Sequence, residues 1–425
     1  MAEIHIMANN LCSSLPWVLF FVFMIDAALG VRKDSSSCDG PSGSGSLALA
    51  QAPTSTDKGT CKSRVEIYGY ECEEHHVATK DGYILSIQRI PNGRSATTQR
   101  ARKKPVLLQH GVFMDGITWL LNSPHESLGY ILADKGYDVW ISNSRGTKYS
   151  LQHATLSPED PAYWEWSWDE LVAFDLPATF EYVYRHTGHQ KLHYVGHSLG
   201  TLMALASFCE HHLLHMVRSA ALISPIAYMN QVRSPIARGV AEAFTAEIYY
   251  RLGIYEFNPL GEAARKLLSE ICRIPDVNCY DIITSFTGEN CCLDTSSIEI
   301  FLRHEPQPTA TKNIIHLSQM IRRGTITKYD YGNSYENKKH YGQVVPPAYN
   351  LSSVPNDLPL FLTYGGRDYL SVVGDVKHLL QRLKLHDKTK LKVEYLPNYA
   401  HADFVMAVNA SQLVYDPLIA FFKLH

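Results

Sequence analysis

The chain is 425 residues long, 45% hydrophobic and 19% charged, which excludes a disordered polymer and supplies enough apolar surface for a large core. A formal net charge of -3 removes the electrostatic case for a nucleic-acid partner. The basic run at residues 100–104 stands just before an apolar stretch and reads as a solvated loop.

In chain order, residues 15–25 are apolar over about the length of a signal-peptide core, and Ala28 and Gly30 place small residues where a signal peptidase reads them. Cleavage near Gly30 is expected, although Met1 to Asn10 carries no Lys or Arg. A signal anchor is the rival, but the stretch is short for a membrane span. No later segment is long and apolar enough to cross a bilayer. Residues 31–60 are rich in Ser, Gly, Ala and Thr and read as a flexible leader. Of nine cysteines, Cys12 goes with the signal. Cys38, Cys61, Cys72, Cys209, Cys272, Cys279, Cys291 and Cys292 remain, an even set consistent with disulfides in an exported chain. The cluster at 272–292 is the expected place for them. Zinc fits less well, because no Cys-x-x-Cys pair occurs. The sequons Asn350-Leu-Ser352 and Asn409-Ala-Ser411 mark Asn350 and Asn409 as glycosylation candidates.

The fold is expected to begin near Cys61. Residues 75–90 alternate about Asp81-Gly82, a hairpin signal. Strand-like runs follow at 105–109, 137–142, 192–195 and 219–223. Between them lie helical stretches at 128–135, at 167–184 and at 199–209. The second of these opens on the capping box Ser167-Trp-Asp-Glu170, with a kink expected at Pro177. Alternation of this kind predicts an α/β fold with a mostly parallel sheet flanked by helices. From 225 to 355 the pattern breaks into aromatics, prolines and cysteines, with helical stretches at 237–250 and 298–304. Strand-like runs resume at 358–363 and 391–396. The division expected is a core at 61–224 and 356–425 interrupted by an inserted helical cap or lid at 225–355.

Gly196-His-Ser-Leu-Gly200 fits the Gly-x-Ser-x-Gly nucleophile elbow, in which a serine sits on a tight turn from strand to helix. An apolar strand precedes it and an apolar helix follows, as the motif requires. Ser198 is therefore the candidate nucleophile. Its place at a helix N-terminus offers backbone N–H groups to developing negative charge. Leu199 is the expected first oxyanion donor. Val112, in the loop His110-Gly-Val112 after an earlier strand, is the expected second. The nucleophile needs a base, and the base an orienting acid, in the order serine, acid, histidine. Asp368 ends Tyr364-Gly-Gly-Arg-Asp368, at the C-terminal edge of a late strand where ligands meet an open α/β sheet. Asp357 lies at the wrong edge, and Asp375 is expected to serve the start of a helix. His401 follows the last strand and is the candidate general base. His378 and His386 are expected at the surface, and Asp403 is expected to cap the next helix. An acyl-enzyme on Ser198 follows, with no metal and no organic cofactor.

These residues resemble the acid lipases, the gastric and lysosomal lipase group of the α/β-hydrolase fold, and the plant triacylglycerol lipases within it most of all. The resemblance runs from about Tyr68 to the C-terminus. It rests on His110-Gly111, Asn143-Ser-Arg-Gly146, Trp164-Glu-Trp-Ser-Trp-Asp-Glu170, Gly196-His-Ser-Leu-Gly200, Asn313-Ile-Ile-His-Leu317, Tyr364-Gly-Gly-Arg-Asp368 and His401-Ala-Asp-Phe404. It implies a lid-bearing cap, acyl-ester hydrolysis and often an acidic working pH. Neutral-lipid esters at a lipid–water interface are the expected substrate, and the N-terminal segment leads to an expected passage through the secretory pathway to the exterior or a vacuole. Its motif positions again select Ser198, Asp368, His401, Val112 and Leu199. A sterol-ester or short-chain carboxylesterase, an acyltransferase on the same triad and a catalytically inert binding protein are the alternatives. An intact serine, acid and histidine in order argue against the last. The aromatic run at 163–168 and the aromatics Phe244, Tyr249, Tyr250, Tyr255 and Phe257 suit either an acyl site or ordinary packing, with packing favoured.

Overall fold

The computed structural model describes residues 59–94, 103–259, 261 and 280–425. The expected signal segment, the leader apart from Gly59 and Thr60, Cys38, Cys272 and Cys279 lie outside the described residues. The first element is a helical turn at Cys61–Val65, and Cys61 is bonded to Cys72. Cys291 and Cys292 are bonded to each other, and Cys209 is a free buried thiol. One bridge thus falls inside the expected cluster and one well upstream of it.

Eleven strands are present among the described residues. They are β1 (Glu73–Ala78), β2 (Tyr83–Ile90), β3 (Pro105–Gln109), β4 (Asp138–Ser142), β5 (Gln152–His153), β6 (Leu192–His197), β7 (Val217–Ile223), β8 (Glu256–Phe257), β9 (Thr309–Ala310), β10 (Leu360–Gly365) and β11 (Leu391–Leu396). Nine form one sheet in the order β1-β2-β4-β3-β6-β7-β10-β11, with β5 added beside β2. The run from β4 to β11 is parallel, and β2 is antiparallel to its neighbours. The hairpin expected at 75–90 is β1 and β2, turning at Gly82 with φ +102°.

Both faces of the sheet are buried, because strand residues alternate between two apolar cores. Leu107, Trp140 and Leu222 point into one, while Val106, Ile141 and Ile223 point into the other. Helix Leu199–Cys209 is buried at every position, which explains a sequence apolar all round its circumference. The capping box at Ser167 forms as expected. The kink at Pro177 takes the form of a wide π turn at Leu171–Asp175 before helix Leu176–His186, and the proline needs no N–H partner in that first turn.

Between β7 and β10 the regular elements among the described residues are chiefly helices: Pro235–Glu242, Thr245–Arg251, Tyr280–Thr287, Thr295–His304, Thr311–Arg323 and Ser334–Tyr341. The single helix expected at 237–250 is two, because Phe244 adopts φ +53° and breaks the ladder. Tyr163, Trp164, Trp166 and Trp168 are all buried in the core, which is the packing reading. Trp168 stacks on His316 of helix Thr311–Arg323 with ring centroids 4.3 Å apart. Asp169 receives the Tyr349 hydroxyl at 2.7 Å and the Tyr329 N–H at 2.7 Å. The aromatic motif therefore fastens the segment between β7 and β10 to the sheet.

Candidate active site

The strand order brings four chain-distant loops to one sheet edge. β3 lies between β4 and β6, so the chain runs outward on one side of β3 and returns on the other. Loops at such a reversal splay apart and leave a crevice at the C-terminal strand ends. Ser198 follows β6, the loop of Gly111 and Val112 follows β3, Asp368 follows β10 and His401 follows β11.

Ser198 occupies φ +54°, ψ -118°, a region in which a residue with a Cβ is strained by about 1–3 kcal/mol. Its neighbours hold it there. The Ser198 N–H donates to Ile223 O, its carbonyl accepts from the Thr201 hydroxyl at 2.6 Å, and Tyr194 OH donates to Gly200 O at 2.7 Å. The two flanking glycines are required by space. A Cβ on Gly196 would stand 2.8 Å from the Gly200 backbone, and one on Gly200 would stand 2.7 Å from Gln109 O. Gly111 is equally close: its Cβ would lie 2.9 Å from Ser198 Cβ and 3.3 Å from Oγ. The loop after β3 thus passes directly beside the serine hydroxyl.

Asp368 and His401 meet across the strand ends, with Nδ1 to Oδ2 at 2.9 Å and to Oδ1 at 3.1 Å. Asp368 is buried and also receives the Ser224 hydroxyl at 2.7 Å and the N–H groups of Leu370 and Ser371. Burial alone would raise its pKa, but His401 beside it and these hydrogen bonds hold it below the ordinary carboxylate value. Ser198 and His401 open into one cavity of ≈ 250 Å³. Its wall is almost wholly apolar and comes from the sheet edge (Val112, Leu199) and from the segment between β7 and β10 (Phe257, Phe286, Leu317). Of the five aromatics singled out in that segment, Phe257 lines the cavity, while Phe244 is exposed.

Two neutral histidines brace the crevice. His110 Nε2 accepts the Ser144 N–H at 3.0 Å, so its Nδ1–H donates to Gly111 O at 2.8 Å. Burial pushes it down to about 4. His197 Nε2 donates to the carbonyl of His401 at 3.1 Å, and burial with His401 nearby lowers it to about 3. Ser144 belongs to the Asn143-Ser-Arg-Gly146 motif. Arg145 of that motif is buried between Asp81 and Asp175, 2.6 Å from each.

Several expectations need correction. Asp403 does not cap its helix: its carboxylate turns back to the N–H groups of Ala400, Cys291 and Cys292. His386 is buried and bonded to Leu358 O, and His378 is half-buried against Tyr228 with ring centroids 3.9 Å apart. Asp375 does lie in the first turn of helix Val373–Arg382, but it is buried and accepts the Gln231 N–H. Sequence reasoning missed Ser224 altogether. It lies next after β7 at φ +50°, and only the pairing of β7 with β10 reveals that it faces Asp368. Asn350 is exposed, whereas Asn409 is half-buried and accepts the Tyr399 hydroxyl.

Residues 61–123 match the family model described as a partial alpha/beta-hydrolase lipase region, and residues 104–249 match that of the alpha/beta hydrolase fold. "Triacylglycerol lipase 2" of Arabidopsis thaliana is 50% identical over 86% of this chain and 88% of its own length. "Gastric triacylglycerol lipase" of Bos taurus is 34% identical over 84% of this chain and 89% of its own length. A solved structure described as "Lipase (Open form)" shares the fold with a TM-score of 0.53 at 13% identity, over 83% of this chain and 99% of that one.

Proposed function

The chain belongs to the acid-lipase family of the α/β-hydrolase fold, and on that premise we propose that it is a serine lipase hydrolysing triacylglycerol or a related neutral-lipid ester. The observation that carries this reading is the Asp368–His401 pair at 2.9 Å, with Ser198 and His401 opening into the same apolar cavity. His401 takes the Ser198 proton and the alkoxide attacks the ester carbonyl. The N–H groups of Leu199 and Val112 receive the oxyanion; the first N–H groups of a helix have no partner within it. Asp368 keeps the imidazole in the reactive tautomer and stabilises its charged form. The alcohol leaves with the proton from His401. Water, activated by the same histidine, then releases the fatty acid. An apolar wall suits an acyl chain, because moving each buried methylene out of water contributes about 0.8 kcal/mol.

Residues 61–224 and 356–425 form the catalytic core in this reading, and 225–355 form its cap. The N-terminal segment routes the chain into the secretory pathway, and Asn350 and Asn409 are the glycosylation sites, with Asn350 the more accessible. No helix among the described residues is long and apolar enough to cross a membrane. The test is hydrolysis of emulsified long-chain triacylglycerol and of soluble short-chain esters by the wild type and Ser198→Ala. Loss of a triad serine lowers kcat by about a millionfold in a related chemistry. Emulsion activity that collapses in the variant is the expected result. Turnover of soluble esters alone would make the protein a carboxylesterase, and activity retained by Ser198→Ala would remove the assignment of the nucleophile.

A further inference from the structure

The loop that carries His401 is anchored from one side by a buried carboxylate and a pair of adjacent cysteines, the first exposed and the second half-buried. Asp403 is fully buried, yet among the described residues no cation is bonded to it. Its Oδ2 accepts the Ala400 N–H at 2.7 Å, immediately before His401. Its Oδ1 accepts the N–H groups of Cys291 at 3.1 Å and Cys292 at 3.2 Å. Two consecutive amides converging on one carboxylate make an anion-binding concavity, and the Cys291–Cys292 bond closes a ring across the same two residues. The same segment reaches the acid as well. Thr287 O accepts the N–H groups of both His401 and Tyr369, at 3.2 Å each, and Gly288 is bridged to Asp368. Val408 N–H donates to Cys292 O at 3.0 Å, on the far side of the short helix Asp403–Met406.

A buried carboxylate left without its donors would be costly, so the three N–H groups and Asp403 stand or fall together. An apolar residue at position 403 would leave all three N–H groups without this acceptor. A carboxylate there does something a hydrocarbon does not: it fixes the Ala400 peptide, and through it the next residue, relative to a segment from a different part of the chain.

We propose that Asp403 is a positioning residue for His401, fastening the histidine's loop to the paired amides of the Cys291–Cys292 disulfide. The proposal rests on the reading of His401 as general base. It places part of the active-site geometry in the segment between β7 and β10 rather than in the sheet.

The experiment measures kcat and KM on p-nitrophenyl butyrate for the full chain. Active sites are counted by the burst of p-nitrophenol released from a p-nitrophenyl alkylphosphonate. The variants are Ser198→Ala, Asp403→Asn, the pair Cys291→Ser with Cys292→Ser, and all three of the latter substitutions together. Asparagine keeps the shape but sets an NH₂ group against N–H donors. Per titrated site, Asp403→Asn is expected to lower kcat by about 10–100-fold with KM within about twofold, the loss a small displacement of a reacting group produces. The cysteine pair is expected to lower kcat in the same direction and to add little in the Asp403→Asn background, since both act through one contact. A merely structural carboxylate would reduce the number of titratable sites and leave kcat per site unchanged, which would overturn the proposal. Fully additive effects would overturn the tether. If Asp403→Asn yields no titratable site, the cysteine pair decides alone, and a kcat per site within twofold of wild type would reject the idea. A wild type that the phosphonate does not titrate, or an active Ser198→Ala, would instead sink the triad reading itself.

Discussion

The sheet and the segment between β7 and β10 use apolar residues for different ends. In the sheet, β3, β4, β6 and β7 bury both faces, and helix Leu199–Cys209 has no exposed side. Most side chains there pack, while Tyr194, His197 and Thr201 also hold the loops around Ser198, and backbone register sets where each loop emerges. In helix Thr311–Arg323 the tasks are divided. His316 stacks on Trp168 and donates its Nε2–H to Thr327 O, while Ile314, Leu317 and Ile321 face the cavity. The contrast teaches that the sheet chiefly sets position and the segment between β7 and β10 supplies much of the cavity wall, so the two should fail differently when altered.

The largest expected effect is at the sheet edge. Asp368→Asn should lower kcat about ten-thousandfold while leaving KM nearly unchanged, as loss of the orienting acid does in other triads. Steady-state kinetics check this, and a fall shared equally with KM would break the view that position is the sheet's contribution. Next comes Gly111→Ala. Its Cβ would press on Ser198 at 2.9 Å, so kcat is expected to fall about a hundredfold with little change in Tm. A wild-type rate would show that the loop after β3 yields without cost.

A matched pair of leucines sharpens the comparison further. Leu202 is fully enclosed in the core, and its replacement by Ala should cost about 2–5 kcal/mol in denaturant unfolding with unaltered KM. Leu317 already borders a cavity. Leu317→Ala should cost only about 1 kcal/mol while raising KM for long acyl chains several-fold. Equal stability losses would mean that the cavity is closed and packed like the core.

The smallest effect concerns acid. His110, His193, His197 and His316 are buried and held neutral, at about 4 for the first and about 3 for the others, chiefly by burial. Unfolding exposes them to an ordinary value near 6.5, so between about pH 6.5 and 4 the unfolded chain binds more protons and their contribution to stability falls as pH falls. Asp169 and Asp403, raised to about 6 by burial, act in the opposite sense over part of that range. His316→Gln should therefore reduce the slope of unfolding free energy at pH 5 by about 1.4 kcal/mol per pH unit, one proton's worth. An unchanged slope would indicate that His316 is protonated in the folded protein.

Legibility in the sequence followed the same division. The hairpin at Gly82, strands β3, β4, β6 and β7 and the capping box at Ser167 were readable because each rests on a short-range rule of alternation or turn chemistry. The break at Phe244 was not, since an aromatic residue inside an apolar stretch carries no local signal for a left-handed backbone. His386 looked like a surface residue because its sequence neighbours are charged, whereas its burial comes from Leu358, 28 residues away.

By itself the sequence determined the strained turn at Gly196-His-Ser-Leu-Gly200 and the order in which Ser198, Asp368 and His401 follow their strands, because strand-end loops and small-residue turns are local consequences of sterics. Only the tertiary structure decided that Ser224 supports Asp368, that Gly111 touches Ser198, and that Asp403 turns to Cys291 and Cys292 instead of capping its helix. These contacts join residues 87 to 144 positions apart. They exist because β3 is inserted between β4 and β6 and because the segment after β7 returns to the same edge, and strand order is a property of the assembled sheet that no window of sequence contains.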